Sequence, residues 1–266
     1  MSFFRMIIPN NNSADWITTG LNSILNQTFT DWELLIVDDA SYDSSPAMIQ
    51  NIINANPTRN IRMIRLEKKG GYPGNTRNVA LKEHTDAPYT LFMDSDDWLC
   101  DNYAFQHIYR AIEKHNRPDV VRLPYIMWHG GAYQQTDRLF DTCPAEMAQS
   151  YVVAPWTKAI KTELIVPFPE GTLFEDIVQH LYQTDVVETV CHLDMPIVRW
   201  NRSPQNTVSL TANLTKNEDY IRKYHASCFK ICADLTDFVP KHDYLKDPRQ
   251  RWLDFGTAKL RELKLV

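Results

Sequence analysis

The chain has 266 residues, 44% of them apolar, and a formal net charge of −5 at pH 7. Such a chain buries one large core, or a core with a small lobe. No apolar run reaches the roughly 20 residues that span a bilayer, and the negative balance argues against a protein that holds nucleic acid mainly through bulk charge.

In chain order, Met6-Ile7-Ile8-Pro9 predicts a buried strand that runs into a polar loop, Asn10-Asn11-Asn12-Ser13. Ser13 is the expected cap of a helix in which Ile17, Leu21, Ile24 and Leu25 fall at helical spacing. Leu34-Leu35-Ile36-Val37 is a second short apolar run and ends in Asp38-Asp39-Ala40-Ser41. Ser44 or Ser45 with Pro46 starts a second helix running toward Asn56-Pro57. A strand is expected over 61–66, a helix over 76–83, a strand over 89–93, a helix over 102–114 and a strand over 119–123. This alternation predicts an α/β fold with a mostly parallel sheet covered on both faces. Beyond 124 the pattern is less regular. Segments 155–158, a helix-like 173–183 and 197–200 read as an extension of the same domain, and 216–236 and 247–263 as two C-terminal helices. The basic cluster within 241–264 is either a solvated helix face or a surface for an anionic partner.

The five cysteines, at 100, 143, 191, 228 and 232, form no paired framework. With no basic-then-apolar leader at the N-terminus, they predict reduced thiols and a cytoplasmic protein. His225, Cys228 and Cys232 lie in a helix-like stretch and lack a fourth ligand, so packing is their expected use. The glycines at 70, 71 and 74 do not form a Gly-x-x-x-x-Gly-Lys phosphate loop; a flexible turn over a nucleotide is expected instead. No Gly-x-Gly-x-x-Gly follows the first strand, which argues against a dinucleotide oxidoreductase.

The segment with most chemical content is Phe92-Met93-Asp94-Ser95-Asp96-Asp97-Trp98. Ionised carboxylates at a strand end are costly unless something positive offsets them. A hard cation does so, because Mg²⁺ and Mn²⁺ prefer oxygen ligands and share them with substrate phosphates. The alternative is an acidic turn. Parallel sheets carry ligands at the carboxyl ends of their strands, so Pro9–Asn12, Asp38–Asp39 and Asp94–Asp96 are expected to converge.

Ile7-Ile8-Pro9, Asn26-Gln27-Thr28, Val37-Asp38-Asp39-Ala40-Ser41, Arg77-Asn78, Met93-Asp94-Ser95-Asp96-Asp97-Trp98 and Phe174-Glu175-Asp176, in this order, resemble the motifs of family 2 glycosyltransferases with the GT-A fold. The resemblance covers about residues 3–210. It implies a GT-A domain over 1–210, with a donor half of about 1–123 and an acceptor half of about 124–210, followed by a helical extension over 211–266. It also implies a metal-dependent inverting transfer of a sugar from a nucleotide-sugar donor, a UDP-sugar first, to an acceptor hydroxyl. A surface glycan is the default acceptor; a protein or a hydroxylated base in DNA stays open.

The implied donor-binding residues are Pro9, Asn11, Asn12, Asp38, Asp39, Arg77, Asp94 and Ser95. Asp39 would accept from a pyrimidine or ribose. Arg77 would pair with phosphate or with Asp94, or form an ordinary salt bridge. Asp96 and Asp94 would hold Mn²⁺ or Mg²⁺, and Asp97 would organise the loop. Asp176 is the expected general base, with Glu175 supporting it; an acidic first helical turn accounts for the pair as well. Trp156 is either a wall of the acceptor pocket or core. His129 and His192 are minor candidates for further metal ligands. Asn11 stands where many members carry an aromatic, Thr76 replaces a frequent Ala, and the loop over 68–75 is long. A nucleotidyltransferase would need a Gly-rich basic loop after the first strand, which 9–12 does not offer. A non-catalytic nucleotide- or carbohydrate-binding domain is the remaining alternative.

Overall fold

The structure, a computed structural model, describes residues 2–135, 147, 153–206 and 227. The helices expected over 216–236 and 247–263, the basic cluster within 241–264 and the set His225, Cys228 and Cys232 lie outside the described residues.

Strands β1 (Phe4–Asn10), β2 (Trp32–Asp38), β3 (Ile61–Arg65) and β4 (Tyr89–Phe92) pair in parallel, with β1 between β4 and β2. β5 (Trp98–Leu99) leaves this sheet. β6 (Val120–Arg122) returns to it through β9 (Lys158–Lys161), which is antiparallel to both β4 and β6, and β10 (Val190–His192) adds parallel to β6. The result is a seven-stranded sheet of order β10-β6-β9-β4-β1-β2-β3. β7 (Tyr125–Trp128), β8 (Tyr133–Gln135) and β11 (Val198–Asn201) join β5 in a four-stranded sheet of order β5-β11-β7-β8. The predominantly parallel first half matches expectation; the second sheet is an addition to it.

The central strands β1, β2 and β4 are largely apolar because both faces of the sheet are covered there. Met6 and Ile8 of β1, with Leu34, Ile36 and Leu91, pack against α1 (Ile17–Leu25), α2 (Ser45–Ala55) and α4 (Ala104–Lys114) through Leu21, Ile49 and Phe105. Ile7, Leu35, Val37 and Phe92 point the other way, toward Ala80 of α3 (Pro73–Leu81) and Phe168. The last described helix, α5 (Glu175–Val186), carries its own cluster of Ile177, Val178 and Leu181.

Two local expectations need correcting. Ser13 does not cap α1: its hydroxyl donates to Asn10 Oδ1, and Trp16 occupies the N-cap. The amide just upstream is satisfied by Asp43, whose Oδ2 accepts from Ala14 N at 2.8 Å. α3 begins at Pro73 rather than 76, since proline, with no N–H to satisfy and φ already helical, suits a first turn. At its other end Arg5, buried in β1, donates to the carbonyls of Ala80 (2.8 Å) and Glu83 (3.0 Å). A cation on the last carbonyls of a helix is favourable, and here it ties α3 to the central strand. Among the described residues no helix is long and apolar enough to cross a membrane.

Candidate active site

The strand register places the predicted tips side by side: Asn10 pairs with Asp38, and the β4 pairing of β1 stops at Ile7 opposite Phe92. Met93 N still donates to Ile7 O at 3.1 Å, so that side of β1 faces β4. Pro9 has the same parity as Ile7, and its missing N–H falls where the ladder has opened. A proline in a central strand is tolerable only at such an end, and it leaves the β1 and β4 tips parted.

At this edge the two adjacent aspartates differ. Asp38 is fully buried; its carboxylate accepts from Asn10 Nδ2 (2.6 Å) and Ser41 Oγ (2.5 Å), with Arg65 Nε at 3.4 Å. That side chain braces the tip. Asp39 instead accepts from the backbone amides of Gly70 (2.5 Å) and Gly71 (3.1 Å), which pins the glycine loop over the strand ends. A carboxylate has about four lone-pair sites, so Asp39 keeps acceptor capacity for a ligand. Asn11 Nδ2 donates to Asp39 O at 2.7 Å, and Asn12 Oδ1 accepts from Tyr42 N at 2.9 Å. Asn12 and Ala40 both adopt left-handed backbone, with φ of 53° and 50°. Such conformations in non-glycine residues gather where function over-determines the chain.

Asp94, Ser95 and Asp96 are half-buried and Asp97 is buried. One carboxylate oxygen from each of Asp94, Asp96 and Asp97 lies within 4.8 Å of the others. Asp96 Oδ2 accepts from Asn206 Nδ2 at 2.6 Å, and Asp97 Oδ1 accepts from Asn201 N at 2.8 Å, so β11 and the turn after it buttress the acidic loop. Asp97 Oδ2 is buried without a hydrogen-bond partner. Burial first, and the Asp94 charge second, push Asp96 up to about 6. Burial, then Asp96 and Asp94, hold Asp97 well above the usual carboxylate range. Three crowded carboxyl groups, one with an orphaned oxygen, fit a divalent cation with oxygen preference.

Arg77 on α3 is buried, and its two terminal nitrogens go to different acids. Nη2 lies 2.6 Å from Asp94 Oδ1 and Nη1 lies 2.6 Å from Glu175 Oε1. Its guanidinium also sits 5.3 Å from the ring centre of Phe168. Burial draws Arg77 down, but Asp94 and Glu175 outweigh it and leave the guanidinium above its ordinary value. Burial raises Glu175 to about 7 against the pull of Arg77. Asp176, next in the first turn of α5, is half-buried, and burial lifts it above the usual range against Arg77 and Lys158. Phe174 enters α5 in left-handed backbone, φ 61°, immediately before the two acids.

The remaining candidates separate. Trp156 is 4% exposed and packs against Tyr125 and Trp200, at 4.9 and 5.7 Å between ring centres; it is core. His129 is exposed, and His192 lies 3.6 Å from Asp194. Among the described residues the three aspartates are the only set of three or more metal-capable groups, and neither histidine belongs to it. Sequence reasoning missed the role of Asn78, which clamps the Phe168 backbone with both amide atoms (2.8 and 2.9 Å). It also missed Asn201 and Asn206, which carry no pattern that would mark them.

The family model described as Glycosyl transferase family 2 matches residues 6–190. A poly(ribitol-phosphate) β-N-acetylglucosaminyltransferase, TarS, of Staphylococcus aureus is 39% identical over 101 residues, covering 37% of this chain and 17% of that protein. The minor teichoic acid biosynthesis protein GgaA of Bacillus subtilis is 34% identical over 125 residues, covering 46% of this chain and 27% of that one. The chain therefore spans well under half the length of these relatives. The solved structure of S. aureus TarS 1-349 in complex with UDP superposes with a TM-score of 0.66 at 25% identity, covering 92% of this chain and 73% of that one. The GT-A arrangement expected from the sequence, a central sheet flanked by helices, is the one found.

Proposed function

The chain belongs to glycosyl transferase family 2, and from that membership we propose that it transfers a sugar from a UDP-sugar, UDP-N-acetylglucosamine first, to a hydroxyl of a polyol-phosphate glycan. The relatives' names and the UDP complex support this choice of donor and acceptor. The observation that carries the chemistry is the Arg77 fork, which joins the acidic tip of β4 to the acidic start of α5.

The donor half, about 1–123, supplies Asp39 for the base or ribose, with Pro9, Asn11, Asn12 and Ser95 around the opening; Asp38 serves by bracing that edge. Asp96 and Asp94 would hold Mn²⁺ or Mg²⁺, with Asp97 fixing their loop. Such an ion would offset charge on the departing diphosphate. The acceptor half, about 124–210, supplies Asp176. Its raised affinity for protons makes it a better base near neutral pH. Asp176 takes the acceptor hydroxyl proton as that oxygen bonds to the anomeric carbon. The bond from that carbon to the diphosphate oxygen breaks, and its electron pair leaves with the nucleotide. One displacement inverts the anomeric centre. Free Cys100 and Cys191 are in keeping with a cytoplasmic setting.

The test is a panel of UDP-, GDP-, CMP- and dTDP-sugars with Mn²⁺, read as nucleotide release, run with wild type and Asp96→Ala. Metal-dependent release from a UDP-sugar, lost in the variant, is the expected result. Release that ignores both metal and variant overturns the assignment of the acidic loop, and a second donor class overturns the base.

A further inference from the structure

We propose that Glu175 acts on the donor rather than on its neighbour Asp176: it is a positioning residue that fixes Arg77, and through Arg77 the donor-side Asp94. This rests on the transferase assignment above and assigns a residue within its site.

The geometry supports this link. Glu175 directs Oε1 to Arg77 Nη1 at 2.6 Å, while Nη2 of the same guanidinium holds Asp94 Oδ1 at 2.6 Å. A guanidinium is rigid and planar, so fixing one prong of its fork fixes the other. The stem cannot drift either, since the group stands against the Phe168 ring, and Asn78 clamps the backbone of that residue. The helices have also been brought unusually close. A Cβ on Gly74 would fall 2.6 Å from Glu175 Cγ and 3.1 Å from Phe168 Cβ. Glycine at 74 is what lets α5 reach Arg77.

Energetics point the same way. A buried ion pair adds little to stability compared with apolar packing, but removing one partner leaves an uncompensated charge. Three charged side chains from α3, the β4 tip and α5 are a poor way to build a core and an effective way to set an orientation. Glu175 has committed its carboxylate to Arg77, which leaves the half-buried Asp176 for the acceptor. The first turn of α5 thus serves both substrates, one acid for each.

The experiment is calorimetric binding of Mn²⁺ with UDP to wild type, Glu175→Asp, Glu175→Gln, Arg77→Lys and the Glu175→Asp/Arg77→Lys double variant. Glu175→Asp keeps the charge and shortens the reach, so loss in that variant reports position rather than field. Affinity should fall about tenfold in Glu175→Asp and in Arg77→Lys, the lower range for outer partners of a metal ligand. The double variant should be no worse than Arg77→Lys alone, because the two act through one fork. Binding stoichiometry counts folded molecules, so a poorly folding variant still reports its affinity. Wild-type affinity in Glu175→Asp, or losses that multiply in the double variant, overturns the inference alone. Failure of the wild type to bind Mn²⁺ with UDP overturns the donor assignment and the inference with it.

Discussion

Asp96 shows how burial and crowding set the conditions under which the site works. Its proton is held up to about 6 by burial and by the Asp94 charge, against an ordinary value of 3.8. A cation must displace that proton, so metal affinity should fall as pH drops through about 6, by roughly tenfold per unit for one proton displaced. Titrating Mn²⁺ at pH 5, 6 and 7.5 measures the slope; affinity flat across that range would remove Asp96 from the ligand set. The sign reverses for the metal-free chain. Between 3.8 and about 6 the folded state binds more protons at Asp96 than the unfolded state does, so that contribution to stability is lost as pH rises. Asp176 differs in kind, being the proposed base for the acceptor hydroxyl. Asp176→Asn should reduce turnover by at least 100-fold, in line with the usual contribution of a general base, while Mn²⁺·UDP affinity stays within about twofold. Parallel losses in both would place Asp176 in the donor site. The residue scale is also where sequence gave least warning. Asp38 and Asp39 are adjacent and alike on paper, yet period-2 alternation sends Asp38 inward to Asn10 and Ser41 and leaves Asp39 at the loop.

At the scale of elements, the parallel half was legible because β1, β2 and β4 are dense apolar runs that end in polar tips, and α1 and α2 carry periodic apolar residues. The second sheet was not. Trp98–Leu99 has two residues and Tyr133–Gln135 three, too short for a period to show. β9 carries no strand signal in the sequence, since Lys158 and Lys161 flank only two apolar residues. These short strands matter because β5 and β11 hold the acidic loop from behind while α1 presses on it from the other side. Gly20 of α1 is the point of closest approach: a Cβ there would stand 2.8 Å from the Asp97 carbonyl oxygen. Backbone cannot yield as a flexible side chain can, so Gly20→Ala must push α1 or the loop aside. In a helix interior the same change would otherwise help by about 0.5–1 kcal/mol. We expect destabilisation by about 1–3 kcal/mol, the usual cost of overpacking, together with weaker Mn²⁺ binding. Chemical denaturation and metal titration of the one variant measure both, and a more stable protein with unchanged metal affinity would show that α1 does not set the loop.

At the scale of the molecule, the groups that make the site costly to fold are those that a ligand would relieve. Asp97 keeps a buried oxygen without a partner, and burial holds Asp96 and Asp97 above their ordinary values. A cation and a diphosphate that bind only the folded chain stabilise it by mass action, about 2.7 kcal/mol at one hundred times the dissociation constant. For a chain of 266 residues that free energy corresponds to a rise in Tm of roughly 5–11 °C, at about 2–4 °C per kcal/mol. The two ligands should act together, since the cation offsets the charge that would otherwise set the diphosphate against Asp94 and Asp96. Mn²⁺ alone and UDP alone should therefore give shifts whose sum falls short of the shift with both. Asp96→Ala removes a crowded buried acid as well as a ligand. It should melt no lower than wild type without metal, and it should lose most of the joint shift. Thermal unfolding of both proteins, each with no addition, Mn²⁺, UDP and the pair, decides it. A full joint shift in Asp96→Ala would mean that the acidic loop is held by its neighbours for reasons of folding alone.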